Sequence, residues 1–383
     1  MKIVIYGLSI TSSWGNGHAT TYRALCKALY SRGHRIVFVE KDVEWYRSNR
    51  DMAKPAYCDV RLYTEWNMQA AQLIALSADA DAIIVGSYFP DAILATEQLL
   101  QAGHGPLMFY DIDTPVTMAA LRSVGGCEYL DARLIPHYAA YLSFTGGPVL
   151  KELESRFGSP CARPLYCSVD ADAYAPTPVR DTYRCDMSYL GTYAADRQPK
   201  LMRLLNETAA LLPESRFTVA GPLYPAGTRF QPNVRQITHL PPPEHPAFYS
   251  SSRFTLNLTR DDMVAAGYSP SVRLFEASAC GAAILSDAWA GLEEFLTPNE
   301  EILLPASPEE VAGIVRDLSD QTRSRMGQRA RERILASHTS LHRAYELETI
   351  IGSLQSPAVA ARQTSERTRW AAPAAAAPWC RSQ

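Results

Sequence analysis

Two basic residues, Arg197 and Lys200, stand near the predicted start of a helix in the second half of the chain. They follow a short strand-like run and the loop Gly191-Thr192-Tyr193. An anion at this position would gain from the helix dipole and from both positive charges. The pattern therefore predicts a loop that binds a diphosphate group.

Glu276 lies on the otherwise apolar face of a helix predicted at 273–280. A buried carboxylate without a partner is costly, whereas the same group can accept both hydroxyls of a ribose. A salt bridge to Arg273, three residues earlier on the helix, is the structural alternative. We favour the ribose because of the loop that precedes the helix. That loop includes Tyr268, Ser269 and Ser271.

Two acids, Asp111 and Asp113, follow an apolar strand in the first half of the chain. They are candidates for a general base or for contacts with sugar hydroxyls, and His18 is assigned to the same catalytic group. Two carboxylates this close are costly without a ligand or a cation, which favours a functional role for Asp113. Thr114, by contrast, stands where a helix could start and is interpreted as a cap.

The segment Gly15-Asn16-Gly17-His18 precedes the first predicted helix. Glycine lets the backbone approach a ligand, and a helix N-terminus favours an anion. A surface turn that only needs a positive φ is an equal alternative. We expect a loop near the sugar or the acceptor.

A dinucleotide site is a rival interpretation of this loop, because Glu40 ends the second strand, where an acid could hold a ribose. The loop at 7–17 is too long for the tight G-x-G-x-x-G turn, so we rank this interpretation lower. Another loop after a strand brings Tyr88 and Asp91 toward the same region. Asp91 could also cap the helix that follows it.

Strands and helices alternate along both halves of the chain, which predicts parallel sheets covered by helices. In the first half, strands are predicted at 2–6, 35–40, 81–86, 106–110 and 139–144, and helices at 20–31 and 92–102. In the second half, strands are predicted at 187–190, 217–220, 254–258 and 282–286. The helices there are predicted at 200–212, 273–280, 308–318 and 322–354, the last with a break near Ser337.

Composition and length bound the architecture. The 383 residues suffice for two domains, and 47% are hydrophobic, so each half can bury a core. We expect an N-terminal domain at 1–165, a C-terminal domain at 166–354 and a disordered tail at 355–383. Ligands bind beyond the carboxyl ends of strands in such sheets, so the cleft between the domains is the expected site.

Charge and cysteine usage exclude some classes of protein. The net charge of −3 and the lack of a basic cluster argue against a nucleic-acid partner. No stretch has the length of a membrane span. The 8 cysteines are scattered without a C-x-x-C pair. We expect them to be reduced and the protein to be cytoplasmic.

Several of these motifs together resemble the GT-B glycosyltransferases, and within them the CgeB-like (spore maturation protein CgeB) family. The resemblance covers roughly residues 1–354. In the second half it rests on Arg273-Leu274-Phe275-Glu276-Ala277, Cys280-Gly281, Ser286-Asp287, Gly291-Leu292 and Glu301-Ile302-Leu303. In the first half it rests on Gly15-Asn16-Gly17-His18-Ala19-Thr20, Tyr110-Asp111-Ile112-Asp113-Thr114-Pro115 and Leu142-Ser143-Phe144-Thr145-Gly146-Gly147.

The resemblance implies an α/β fold of two facing Rossmann-like domains, with a nucleotide sugar on the C-terminal one. It implies that Glu276 binds the ribose, that Arg197 and Lys200 bind the diphosphate, and that the base lies at His239 and Leu240. Related retaining enzymes carry a second acid in an E-x7-E pattern, and the corresponding residue here is Tyr268.

The expected function is transfer of a sugar, most simply a hexose, from a nucleoside-diphosphate sugar to a glycan, protein or small-molecule acceptor that the sequence does not identify. A catalytically inert GT-B-like assembly protein and a sugar-nucleotide epimerase are the alternatives. Asp111 and Asp113 have the D-x-D spacing that another glycosyltransferase fold uses to hold a cation. Because they lie in the half opposite the diphosphate loop, we expect no metal and no cofactor.

Overall fold

Parallel strands form two sheets in the computed structural model, which describes residues 1–355. The first sheet and its covering helices take up the first half of the chain. Its elements are β1 (Lys2–Tyr6), α1 (Gly17–Ser31), β2 (Arg35–Lys41), α2 (Glu44–Arg47), β3 (Asp59–Tyr63), α3 (Trp66–Ala75), β4 (Ala82–Gly86), α4 (Ala92–Ala102), β5 (Leu107–Asp111), α5 (Thr114–Val124), β6 (Gly126–Cys127), β7 (Leu130–Asp131), a 3₁₀ turn (Ala132–His137), β8 (Ala140–Ser143), α6 (Pro148–Ser155) and β9 (Ala162–Pro164).

The second sheet belongs to the second half of the chain. Its elements are β10 (Cys185–Leu190), α7 (Gln198–Leu201), a π-helical segment (Met202–Glu207), α8 (Thr208–Leu211), β11 (Phe217–Ala220), β12 (Val234–Ile237), a 3₁₀ turn (Pro242–Glu244), α9 (His245–Ser250), β13 (Ser252–Asn257), α10 (Asp261–Ala266), α11 (Val272–Ala279), β14 (Ala283–Ser286), a 3₁₀ turn (Leu292–Glu294), β15 (Ile302–Leu303), α12 (Pro308–Asp317), α13 (Asp320–Ser337) and α14 (Ser340–Leu354).

Both sheets have the doubly wound strand order. The first runs β3-β2-β1-β4-β5-β8-β9 and the second β12-β11-β10-β13-β14-β15, with parallel pairing throughout. The order reverses between β1 and β4 in one sheet and between β10 and β13 in the other. Ligands bind at such switch points, beyond the carboxyl ends of the strands. Ligand-binding residues are therefore expected in the loops after β1, β10 and β13.

The strands predicted from the sequence are confirmed within two residues at each end. The sequence interpretation omitted β3, β9, β12 and β15, which are the edge strands of the two sheets, and the separate short pair β6 and β7. Edge strands bury little, and the exposed Arg61 and Leu62 of β3 blur the alternation that marks a half-buried strand. It also omitted α2, α6, α9 and α10, which have at most 8 residues and show no clear helical period, and the longer helices α3 and α5.

The helix predicted at 322–354 is two helices. It breaks at His338, one residue beyond the predicted position, and Thr339 and His342 form a capping box for α14. After the break α14 packs against α1 of the first half, where Arg32 and His34 bond to Glu348. The domain limits themselves stay a prediction, and the predicted tail lies outside the described residues except for Gln355.

Candidate active site

A cavity of about 430 Å³ lies between the two halves, at the carboxyl ends of both sheets. This volume is in the range of small-molecule sites. Most of the predicted site residues line it. They are Gly15, Asn16, Gly17, His18, Asp113, Gly191, Thr192, Arg197, His239, Leu240, Ser271, Arg273 and Glu276. Seven others do not line it, namely Tyr88, Asp91, Asp111, Tyr193, Lys200, Tyr268 and Ser269.

The loop after β1 is held in place by Glu40, which is fully buried. The carboxylate accepts bonds from the backbone N–H groups of Ile10 (2.7 Å) and Thr11 (3.1 Å) and from the hydroxyl of Ser9 (2.9 Å). These bonds occupy both carboxylate oxygens. Glu40 therefore shapes the loop, which removes the acid that the dinucleotide interpretation required.

His18 brings an unsatisfied nitrogen to the cavity. Asn16 caps α1 by accepting from the His18 backbone N–H at 3.0 Å, which places His18 in the first turn of the helix. Its Nδ1 is buried and has no hydrogen-bond partner among residues 1–355. Burial lowers the pKa of His18, although the nearby Asp113 acts in the opposite direction. The ring is therefore neutral at neutral pH and can accept a proton.

Asp111 and Asp113 have different surroundings. Asp111 is fully buried and accepts from the hydroxyls of Tyr141 (2.5 Å) and Thr117 (3.0 Å). Burial raises the pKa of Asp111 to about 6. Asp113 instead lines the cavity and accepts from the Tyr88 hydroxyl at 2.8 Å. Asp111 thus holds the loop in place through buried hydrogen bonds. Of the two acids, only Asp113 lines the cavity, where a ligand can reach it.

Arg260 is a site residue that the sequence interpretation missed. Its Nη1 lies 3.3 Å from Asp113 of the opposite half, and its Nε lies 3.4 Å from Asp196. Arg260 also lines the cavity. It follows β13 by three residues, so the rule that site residues follow strands could have found it. Its partner Asp113 is distant in sequence and could not have been inferred.

Arg197 and Arg273 both line the cavity on the side of the second half. Arg197 donates from Nη2 to the Thr192 carbonyl at 2.7 Å, while its buried Nε has no partner. Arg273 is buried and donates to the carbonyl of Leu190 and to Oδ1 of Asn257. Neither guanidinium forms an ion pair with a carboxylate of the part of the chain that the structure describes. Burial is the main cause that lowers the pKa of Arg197, and the positive charge of Arg273 lowers it further.

Lys200 occupies a different place from the one that the resemblance implied. Its Nζ lies 2.8 Å from Asp261 and 3.4 Å from Asp287, and it also donates to the Thr259 carbonyl at 2.9 Å. Its charge is already balanced by two carboxylates outside the cavity wall. Arg273, rather than Lys200, is the cation next to Arg197.

Glu276 is buried and faces the cavity. It forms no salt bridge with Arg273, which was the structural alternative, although the positive charge of Arg273 still acts on it. Burial raises the pKa of Glu276 to about 7, and the Tyr174 hydroxyl and the charge of Arg273 offset part of that rise. The closest basic group is Nδ1 of His245, at 3.9 Å.

His239 and Leu240 also line the cavity. The ring of His239 packs against Trp14 across the cleft, with 4.4 Å between the ring centroids.

Beneath the loop before α11, Ser271 donates to Oδ1 of Asn257 at 2.7 Å. Ser271 thus helps to set the start of α11, from which Arg273 and Glu276 project.

Tyr268 joins the two halves instead of lining the cavity. Its backbone has a positive φ of 49°, and its carbonyl accepts from the Gly146 N–H at 2.9 Å. A Cβ at Gly147 or at Gly291 would lie 2.3 Å from its ring, so only glycine fits on either side. Next to it, Ser269 accepts from Thr145 of the first half at 2.9 Å.

Asp91 and Tyr88 also lie outside the cavity wall. Asp91 pairs with Lys41 at 3.0 Å and accepts from the Tyr63 hydroxyl at 2.6 Å, without capping α4 through its side chain. Tyr88 reaches the site through its bond to Asp113 and through its ring, whose centroid lies 5.3 Å from that of His18. Among residues 1–355, no cluster of three or more His, Cys, Asp or Glu side chains could hold a metal ion, and no helix could span a membrane.

Comparisons with known proteins agree with this architecture. Residues 197–349 match the family model described as "Glycosyl transferase-like", which is less than half of the chain. No curated protein sequence matches the chain.

Three solved structures are similar over 92% of this chain. HepE from Anabaena in complex with UDP and glucose has a TM-score of 0.69 at 12% identity and is covered over 100% of its length. Sucrose-phosphate synthase from Thermosynechococcus elongatus has a TM-score of 0.67 at 14% identity, with 99% covered. An alpha-glucosyltransferase in complex with UDP-glucose and DNA also has a TM-score of 0.67 at 14% identity, with 99% of its length covered. The GT-B fold of two Rossmann-like domains is confirmed.

Proposed function

We propose that this chain is a glycosyltransferase that moves a hexose from a nucleoside-diphosphate sugar to an acceptor without a metal ion. The observation that carries the proposal is the pair of guanidinium groups, Arg197 and Arg273, that face the cavity without a carboxylate partner among residues 1–355. Unpaired cations in a partly buried site are costly, and a diphosphate would neutralise them.

The rest of the cavity suits the other parts of such a donor. Glu276 lies where a carboxylate can accept ribose hydroxyls, and His239 and Leu240 form a pocket for a base. The family-model match includes all five of these residues, Arg197, His239, Leu240, Arg273 and Glu276. HepE and the alpha-glucosyltransferase hold UDP, which makes UDP the first nucleotide to test.

The acceptor side is formed by Asp113 and His18 from the first half. Asp113 is a carboxylate that lines the cavity, with its Oδ2 bonded to Tyr88 and Arg260, and among residues 1–355 the buried Nδ1 of His18 has no hydrogen-bond partner. Either group can accept the proton that an acceptor hydroxyl loses as it attacks the sugar. We assign this role to Asp113. We also propose that the chain is a GT-B glycosyltransferase of the CgeB-like type.

The direct test is a thermal-shift and calorimetric screen of nucleoside diphosphates, followed by incubation with nucleotide sugars. A ligand at one hundred times its Kd should add about 2.7 kcal/mol of stability. Release of the nucleoside diphosphate supports the proposal. Isomerisation of the sugar would indicate an epimerase, and lack of any binding would indicate an inert assembly protein.

Nucleoside affinity should depend on pH through Glu276. The carboxylate must be ionised to accept two hydroxyls, so protonation below its pKa of about 7 opposes binding. Affinity for uridine should therefore rise up to about pH 7 and level off above it. Uridine is the probe because a phosphate would itself titrate at about pH 6.

Glu276→Gln should remove this pH dependence and weaken binding by about 1.5 to 3 kcal/mol. The matched control is Glu244→Gln, since Glu244 is paired with Arg180 outside the cavity. Isothermal titration or NMR titration at several pH values measures both. A pH profile unchanged in a folded Glu276→Gln variant would remove the ribose assignment.

Activity should persist in excess EDTA. Arg197, Arg273 and the start of α11 can offset the charge of the leaving diphosphate, so a cation is not required. Asp111 cannot pair with Asp113 as a metal ligand while it is held by Tyr141 and Thr117. Turnover with and without EDTA checks this, and abolition followed by full rescue with Mn²⁺ would overturn the assignment.

A further inference from the structure

His245 connects the base side of the cavity to the ribose side. It is the first residue of α9 and follows three consecutive prolines, which restrict the preceding backbone. Its Nε2 lies 3.1 Å from the carbonyl oxygen of Leu240. A carbonyl oxygen can only accept, so Nε2 carries the proton.

The other ring nitrogen is then an acceptor. Burial lowers the pKa of His245 to about 4, so the ring is neutral at neutral pH. Nδ1 lies 3.1 Å from the hydroxyl of Tyr174 and 3.9 Å from Oε2 of Glu276. Nδ1 and an ionised Glu276 are both acceptors, so Tyr174 is the donor that they share.

Tyr174 has one proton for two acceptors. It is buried, and it interacts with Glu276 as well as with His245. Ribose hydroxyls arriving at Glu276 donate to the carboxylate and compete with Tyr174 for its lone pairs. The hydroxyl is bonded to Nδ1 at 3.1 Å in the structure, so it keeps a partner when ribose hydroxyls occupy Glu276 and is not left as an unsatisfied buried donor.

Resting on the proposed function, we propose that His245 is a positioning residue that selects ribose-containing donors: it holds the Tyr174 hydroxyl and so keeps Glu276 free to accept the ribose hydroxyls. The Leu240 carbonyl fixes His245 in the required tautomer. The single side chain of His245 therefore lies between the loop proposed to hold the base and the Glu276 carboxylate proposed to bind the ribose. Both His245 and Glu276 line the cavity, whereas Tyr174 acts from behind them.

The test compares two ligands, UDP and its 2′,3′-dideoxy analogue, by calorimetry on the full chain. If the wild-type protein binds ADP, GDP or CDP and not UDP, that nucleotide and its 2′,3′-dideoxy analogue replace the UDP pair. The wild type should prefer the ribose form. His245→Ala should reduce that preference about five- to tenfold, because only the ribose form uses Glu276.

Further variants separate positioning from packing. His245→Asn keeps an acceptor near the Nδ1 position and should retain most of the preference. Adding His245→Ala to Tyr174→Phe should cost little more than Tyr174→Phe alone, because the two groups act together. Tyr183→Phe is the control, since that hydroxyl bonds to Glu244 away from the cavity.

Equal losses for both ligands in His245→Ala would show a packing defect and overturn the inference, as would an unchanged preference. If His245→Ala does not fold, His245→Leu takes its place: the inference requires the preference for the ribose form to fall in that variant and to be restored when Tyr174→Phe, which removes the competing hydroxyl, is added. A wild-type protein that binds none of the four nucleotides would overturn the proposed function itself. The two failures are therefore distinguishable.

Discussion

Arg197→Ala is expected to weaken binding of UDP by about 1.5 to 3 kcal/mol, or about 10- to 150-fold, while binding of uridine changes little. The guanidinium faces the cavity with an unsatisfied Nε and donates only to the Thr192 carbonyl in the free protein. A diphosphate would supply the missing partner, whereas a nucleoside lacks the group that the guanidinium binds. Calorimetry with both ligands measures the difference.

Two controls make this result specific. Arg203→Ala removes an exposed arginine from the same helical region and should leave both affinities unchanged. Lys200→Ala should cost less than Arg197→Ala, because Lys200 is paired with Asp261 and Asp287 outside the cavity. Equal losses for UDP and uridine in Arg197→Ala would show that the change only disturbs the loop.

Asp113→Asn is expected to lower kcat by about 10²- to 10⁴-fold, the usual contribution of a general base, with little change in donor affinity. Asp113 belongs to the half opposite the diphosphate-binding arginines, so its loss should affect the chemical step and not nucleotide binding. Asparagine has nearly the same shape and can still contact Tyr88 and Arg260. The measurement is kcat alongside the Kd of the donor.

Asp262→Asn is a suitable control, because that acid is exposed on the neighbouring helix α10. A parallel fall in donor affinity and in kcat would mean that Asp113 binds the sugar of the donor instead of accepting a proton. An unchanged kcat would transfer the role of base to His18, the other acceptor-side group in the cavity.

Much of the fold could be predicted because its signals are local. Apolar strands that end in polar, glycine-containing loops recur along both halves, and the switch-point rule then points to the correct edge of each sheet. The edge strand β3 was missed because Arg61 and Leu62 are exposed, so burial did not impose a clear period on the sequence.

The site was harder to predict because its electrostatics depend on partners that are distant in the chain. Lys200 looked like a free cation beside Arg197, and only the fold shows that Asp261 and Asp287 neutralise it. Asp111 and Asp113 looked like a pair, yet one is held by buried hydroxyls and the other faces the cavity.

The residues that the sequence did not single out share one property. Arg260, His245 and Tyr174 each contact a residue from another part of the fold, so the partner of each is not apparent from the neighbouring sequence, although Arg260 does follow a strand. Arg260 bonds to Asp113 across the cleft, and His245 joins Leu240 to Tyr174 within the second half. Such contacts become visible only in the folded chain.

The central claim is that the cavity holds a nucleoside-diphosphate sugar and cleaves its bond to the sugar. The most direct measurement is chromatographic detection of free nucleoside diphosphate after the full chain is incubated with UDP-, ADP-, GDP- and CDP-hexoses. At least one donor should release its diphosphate in the presence of EDTA, and Arg197→Ala should slow that release about 10- to 150-fold at donor concentrations below the Kd. Failure of every donor both to bind and to react with the folded wild-type protein would contradict it.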